Sequence, residues 1–111
     1  MKEESIDPQK HLRRIWDNAP KLAQAKADRV YMEEFRKTLK AQLMKSSSVE
    51  SIGAQEREAY SHPDYVKHLD GLREAVRNEE LLRWRMVADQ ASVEVWRSKE
   101  ASARAMDKAA A

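Results

Sequence analysis

The sequence predicts an all-α fold: a long antiparallel, coiled-coil-like helical hairpin with short N-terminal and connecting helices. Three observations lead there. The composition favours helix, with 36% charged residues, 6% aromatics, 2 Gly and 3 Pro among 111 residues. The run from Pro63 to Met106 contains no proline after Pro63 and a single glycine, Gly71, so it reads as one helix of about 66 Å at 1.5 Å per residue. In two long segments the apolar residues recur at steps of three and four, the spacing of a coiled-coil seam.

A chain of this length and 41% hydrophobic content can cover one seam of a helical assembly but not a thick core. It is one domain, residues 1–111. Lys and Arg number 21 against 19 Asp and Glu, for a formal charge of +2. Residues 1–45 lean positive and residues 46–111 lean negative, as two helices packed side by side would. Cysteine is absent, which excludes disulfides, thiolate metal sites and a cysteine nucleophile. The N-terminus has no apolar core of a signal peptide, and no stretch approaches a membrane span. A soluble protein of the cytoplasm is expected, with no membrane partner.

In chain order, residues 1–6 are polar and expected to be loose. Asp7 then caps a short helix, residues 7–17, with Pro8 at its first position and Leu12, Ile15 and Trp16 on one face. Asn18-Ala19-Pro20 predicts a bend; a continuous helix kinked at Pro20 is the alternative. Over residues 20–45, Leu22, Ala25, Met32, Phe35, Leu39 and Leu43 make an amphipathic helix whose stripe Arg29 interrupts. Ser46 to Ser48 stop it. Ser47 and Glu50 stand at capping-box spacing for a short helix over residues 48–60, and Ser61 and Asp64 stand so for the long one, residues 63–106. Residues 107–111 are a tail.

Along the long helix Tyr65, Leu69, Leu72, Val76, Leu82, Met86, Val93 and Trp96 trace the main stripe, with Glu79 and Asp89 at its missing steps. A weaker line passes through Val66, Leu81, Ala88, Ala91 and Val95, so two neighbours are expected. One is the 20–45 helix folded back; its length leaves roughly 27 Å of the long helix uncovered. The uncovered part is expected beyond Met86, and Leu82, Met86, Val93 and Trp96 are read as an oligomer seam, in a homodimer or higher oligomer.

Catalytic chemistry is not legible. No set of metal ligands surrounds His11, His62 or His68. Glu33-Glu34 and Glu79-Glu80 are adjacent on helices and point about 100° apart, so neither pair can flank a substrate. The serines lack a positioned base and the glycines form no phosphate loop. The chain is read as a non-enzyme without cofactor or metal. Its candidate sites are binding surfaces: Trp96, Arg97, Lys99, Arg104 and Lys108 at the end of the long helix, and Arg77 with Trp84 along it, facing a protein or DNA. Packing against a neighbour is the competing role for Trp84, and cations suited to the helix dipole for the C-terminal group. Lys10, Arg13, Arg14 and Trp16 form a further basic cluster.

The stretch Glu56 to Met106 resembles a family of small uncharacterised bacteriophage and prophage helical proteins. Its members run through an A-Y-x-x-P-x-Y turn into a long helix that ends in W-R-S-x-x-A-S-x-R-A. Here those elements are Ala59-Tyr60-Ser61-His62-Pro63-Asp64-Tyr65, and Trp96-Arg97-Ser98 with Ala101-Ser102 and Arg104-Ala105. Tyr31 to Lys37 resembles the preceding helix, while the first 20 residues match nothing in the pattern. The family's genes stand near phage recombination and replication genes and carry no assigned activity. The resemblance therefore implies a non-enzymatic phage accessory protein that binds protein, DNA or both in phage DNA recombination or replication. The alternative is a phage inhibitor or modulator of a host nuclease or defence complex that binds through helix faces.

Overall fold

A computed structural model describes residues 5–111, so residues 1–4 of the expected loose N-terminus lie outside it. The described residues form three helices and no strand: α1 (Pro8–Ser46), α2 (Ile52–Ser61) and α3 (Pro63–Ala110). α1 and α3 are the arms of the antiparallel hairpin and α2 is the short connecting helix.

α1 starts as its sequence dictates. The Asp7 carboxylate accepts from the backbone N–H groups of Gln9 at 3.0 Å and Lys10 at 3.4 Å, and Pro8 follows at the first helical position, where its missing N–H leaves no bond unmade. No break separates the two expected helices at Asn18 to Pro20: residues 7–17 and 20–45 belong to one continuous helix running through Pro20, as in the alternative reading. A proline inside a helix costs about 3 kcal/mol in a lost bond and a ring clash. Pro20 and Trp16 both face solvent, where water can take up the freed carbonyl. On the other side of α1, Ile15, Asn18, Leu22 and Ala25 keep an unbroken three- and four-residue spacing and are all at least half-buried, so packing on both sides of Pro20 favours continuity.

The helix expected over residues 48–60 starts later, at Ile52. Ser51, in extended conformation, is its cap, with its hydroxyl accepting from the Ala54 N–H at 3.1 Å. Ser47 serves the preceding loop instead, donating to Glu58 at 2.9 Å. At the start of α3 the capping group is His62, not Ser61. The His62 Nδ1 accepts from the Asp64 N–H at 3.0 Å, while the Ser61 hydroxyl donates back to the Arg57 carbonyl at 2.8 Å and closes α2. α3 also runs past the expected end at residue 106 and absorbs most of the tail; Ala101 to Ala110 is alanine-rich, and Lys108 in the last turn suits the dipole.

The chain divides into two compact units. In the first, Ala23–Glu80, α2 sits beside the α1–α3 pair: Ala59 is fully enclosed, Tyr60 meets Tyr65 edge to face at 5.3 Å, and Lys40 lies 4.7 Å over the Tyr60 ring. The second joins the α1 residues up to Leu22 with Leu81–Ala111. Cores are thin in both. Among the described residues the buried hydrophobics are Ala25, Ala59 and Tyr65, and no large side chain is fully enclosed. Two helices touching along one line leave the outer side of each seam residue open to water, which accounts for this.

Candidate interaction faces

The seam of α3 is a heptad pattern. Tyr65, Leu72, Glu79, Met86 and Val93 stand seven apart, and His68, Ala75, Leu82, Asp89 and Trp96 stand seven apart between them; every one is buried or half-buried. The polar members are matched by polar members of α1. In the Ala23–Glu80 unit, Arg29 forks onto Glu79 through Nε and through Nη2, the latter at 3.2 Å, and its Nη1 donates to Glu33 at 3.1 Å. The hydrogen bonds to Glu79 first, and to Glu33 second, push the guanidinium pKa still higher. His68 donates from Nε2 to the Met32 carbonyl at 2.7 Å and tilts against Phe35 at 5.4 Å. In the other unit the His11 Nδ1 donates to Asp89 at 2.7 Å, with Arg14 at 3.8 Å from the same oxygen. Asp89 is 6% exposed, a depth at which a carboxylate needs such partners.

Leu82, Met86, Val93 and Trp96, expected as an oligomer seam, lie on the face of α3 that carries this intramolecular seam. They share the heptad face of Asp89 and are half-buried within a single chain. Cover was expected to stop near Met86, but it reaches Trp96, because the residues before Pro20 continue α1 along α3. Beyond Trp96 the heptad positions are Glu100, Ala103 and Asp107, with no large apolar side chain, and every residue from Arg97 to Ala111 is exposed.

The candidate binding residues separate accordingly. Trp96 packs, while Arg97, Lys99, Arg104 and Lys108 lie on the uncovered end. Arg97 donates to Glu94 at 2.9 Å, and Arg97, Glu100 and Arg104 border one shallow depression of α3. Trp84 is 58% exposed, with the Arg83 guanidinium 4.8 Å over its ring, so it does not pack on a neighbour within the chain. Arg77, at 3.8 Å from Glu74, is exposed on the same side as Trp84. Trp16 is the most exposed aromatic, at 82%.

Sequence reading did not single out an open groove between α1 and the α2–α3 corner, where Arg36, Lys37, Lys40 and Met44 face Tyr60 and Tyr65. Its cations are satisfied locally. Lys37 bonds Glu34 at 3.3 Å, Lys40 bonds Glu56 at 3.2 Å and the Arg36 Nε donates to the Glu33 carbonyl at 3.3 Å. The Tyr60 side chain first, and Glu56 second, raise the Lys40 pKa above its ordinary 10.5. The groove thus serves to tie α2 to α1. Among the described residues no group of three His, Asp or Glu side chains converges as metal ligands, and no helix is long and apolar enough to cross a membrane.

No family model, curated protein or solved structure matches this chain.

Proposed function

We propose that the chain is a non-enzymatic bacteriophage accessory protein that acts as an oligomer in the host cytoplasm, binding another protein during phage DNA recombination or replication. The phage setting rests on the resemblance of the two end motifs. The binding role rests on one observation: the end of α3, from Arg97 onward, is helical yet has every residue exposed. A helical segment of this length is marginal in water by itself, and a partner along it would supply the missing contacts.

A protein suits this surface better than a phosphate backbone. Arg97, Lys99, Arg104 and Lys108 alternate with Glu94, Glu100 and Asp107, so the stretch is close to neutral, whereas nucleic-acid binders concentrate cations on one face. The test is affinity capture from phage-infected cells with the parent chain and with Arg97→Glu/Arg104→Glu, read by mass spectrometry. A recombination or replication protein held by the parent and lost by the variant supports the reading. A host nuclease or defence subunit in that place moves the chain to the inhibitor class. Steeply salt-dependent binding to DNA that the variant abolishes makes DNA the partner instead.

A further inference from the structure

α3 carries a second heptad face, one that its own chain leaves open. Leu81, Trp84, Ala88, Ala91 and Val95 follow at alternating steps of three and four, and serines and alanines continue the spacing to Ala109. By heptad phase this line lies opposite the seam that holds Asp89 and Trp96, although Ala88 also borders a depression with Arg14, Asn18 and Asp89. All five residues are exposed, Leu81 and Val95 at 46% and Trp84 at 58%. An apolar line of this spacing in water is half of a coiled coil.

We infer that two copies of the chain pair along this face of α3 as a parallel two-stranded coiled coil. The flanking charges choose both occupant and orientation. Beside the apolar stretch Leu81 to Val95, one flank carries Glu80 and Glu94 and the other Arg85 and Lys99; Lys108, at the helix end, falls on the first flank. In a parallel pair, a residue of the first flank meets the residue about five positions later on the partner's second flank. That sets Glu80 against Arg85 and Glu94 against Lys99, twice each across the dyad. In an antiparallel pair centred on that apolar stretch each flank meets itself, glutamate against glutamate and cation against cation. The complement of each flank stands on the same helix, so a second copy fits it. Glu80 and Lys99 each already have an interaction within the chain, and Glu94 bonds Arg97. The positions of the charges select the orientation; Glu94 and Lys99 are exposed and exchange partners at little cost, while Glu80 is half-buried.

This deepens the oligomeric part of the proposed function and is independent of its partner-binding part. The chain has no cysteine, so single cysteines report alone. Ala88→Cys and Ser102→Cys lie two heptads apart on the open face, and Ala103→Cys lies on the other side. A disulfide requires Cα atoms within about 7 Å. Under mild oxidation the parallel pair links Ala88→Cys to itself and Ser102→Cys to itself, and leaves Ala103→Cys unlinked. An antiparallel pair can link at most one of the first two. In sedimentation the parent shows a concentration-dependent dimer, and Ala91→Glu returns it to monomer with unchanged helical circular dichroism, since Ala91 is exposed in the single chain. A monomer at every concentration, linking at only one of the two open-face positions or at neither, or a dimer that survives Ala91→Glu overturns the inference. Partner capture by a monomeric chain would remove the dimer and leave the binding role standing; a parallel dimer that captures nothing would do the reverse.

Discussion

Asp89 and His11 form the polar contact that ties the start of α1 to α3, and a double-mutant cycle measures what it contributes. The hydrogen bond is 2.7 Å long, Asp89 is 8% and His11 19% exposed at the side chain, and Arg14 adds a longer contact from a half-exposed position. A hydrogen bond to a charged group contributes about 1.5 to 3 kcal/mol, and the lower end applies because His11 can regain water. Arg14 adds only a surface-scale increment. Asp89→Ala should therefore cost about 2 kcal/mol, a fall in Tm of about 9 °C for a chain of this length. The cycle with His11→Ala should return a coupling of about 1.5 kcal/mol in urea unfolding followed by circular dichroism. His11→Leu/Asp89→Leu, which continues the apolar stripe, should match or exceed the parent's stability, as exchange of a buried polar pair for packed side chains commonly does. A coupling below about 0.5 kcal/mol would refute the view that this pair holds the two helices in register.

Further outcomes follow from the same contacts. Gly71→Ala places a Cβ 2.9 Å from the Met32 Cε, the flexible end of a side chain that can yield. The gain in helix propensity, about 1 kcal/mol, exceeds the cost of moving it, so thermal melting should rise by about 2 °C. The bulkier Gly71→Val should instead destabilise by about 1 to 3 kcal/mol. Tyr65→Ala removes the largest buried side chain and should cost about 3 kcal/mol in urea unfolding, while Tyr65→Phe keeps the edge-to-face contact and most of the stability. Lys40 has its pKa raised in the folded chain, so its contribution is complete below its ordinary 10.5 and is lost as pH rises through the folded value. Unfolding at about pH 9 and again above about pH 11 should show a larger alkaline loss for the parent than for Lys40→Met.

The helical class, the hairpin and the main stripe were legible because apolar spacing is a local signal. The polar partnerships were not, although each left a trace. Arg29 interrupted one stripe, and Glu79 and Asp89 stood at the gaps of the other. A gap in one helix facing an opposite charge in a gap of its neighbour is a pairing signal, and matching Arg29 to Glu79 would have set the register. Pro20 misled for the opposite reason. Its local preference is to end a helix, and packing of Ile15, Leu22 and Ala25 outweighed it. His62 was missed as a cap because serine at the preceding position fits the commoner pattern. At the candidate site, Arg97 and Arg104 are exposed because they lie past the end of the cover, and Trp84, off the main stripe with packing as its competing role, is exposed as well. How far cover along α3 extends, to Trp96 rather than Met86, depended on how far α1 reaches, which turned on Pro20.

Two faces of one helix thus emerge with different roles: the line through Trp84 and Val95 for a second copy, and the uncovered end around Arg97 and Arg104 for another protein. The binding role is tested most directly by placing a photo-crosslinking residue at Glu100, which stands between Arg97 and Arg104 and is exposed, and at Tyr31 as an exposed control in the other unit. The predicted result, on irradiation in phage-infected cells, is a covalent adduct to a protein other than this chain from position 100 and none from position 31. An adduct from position 31 alone, or from neither position, would contradict it.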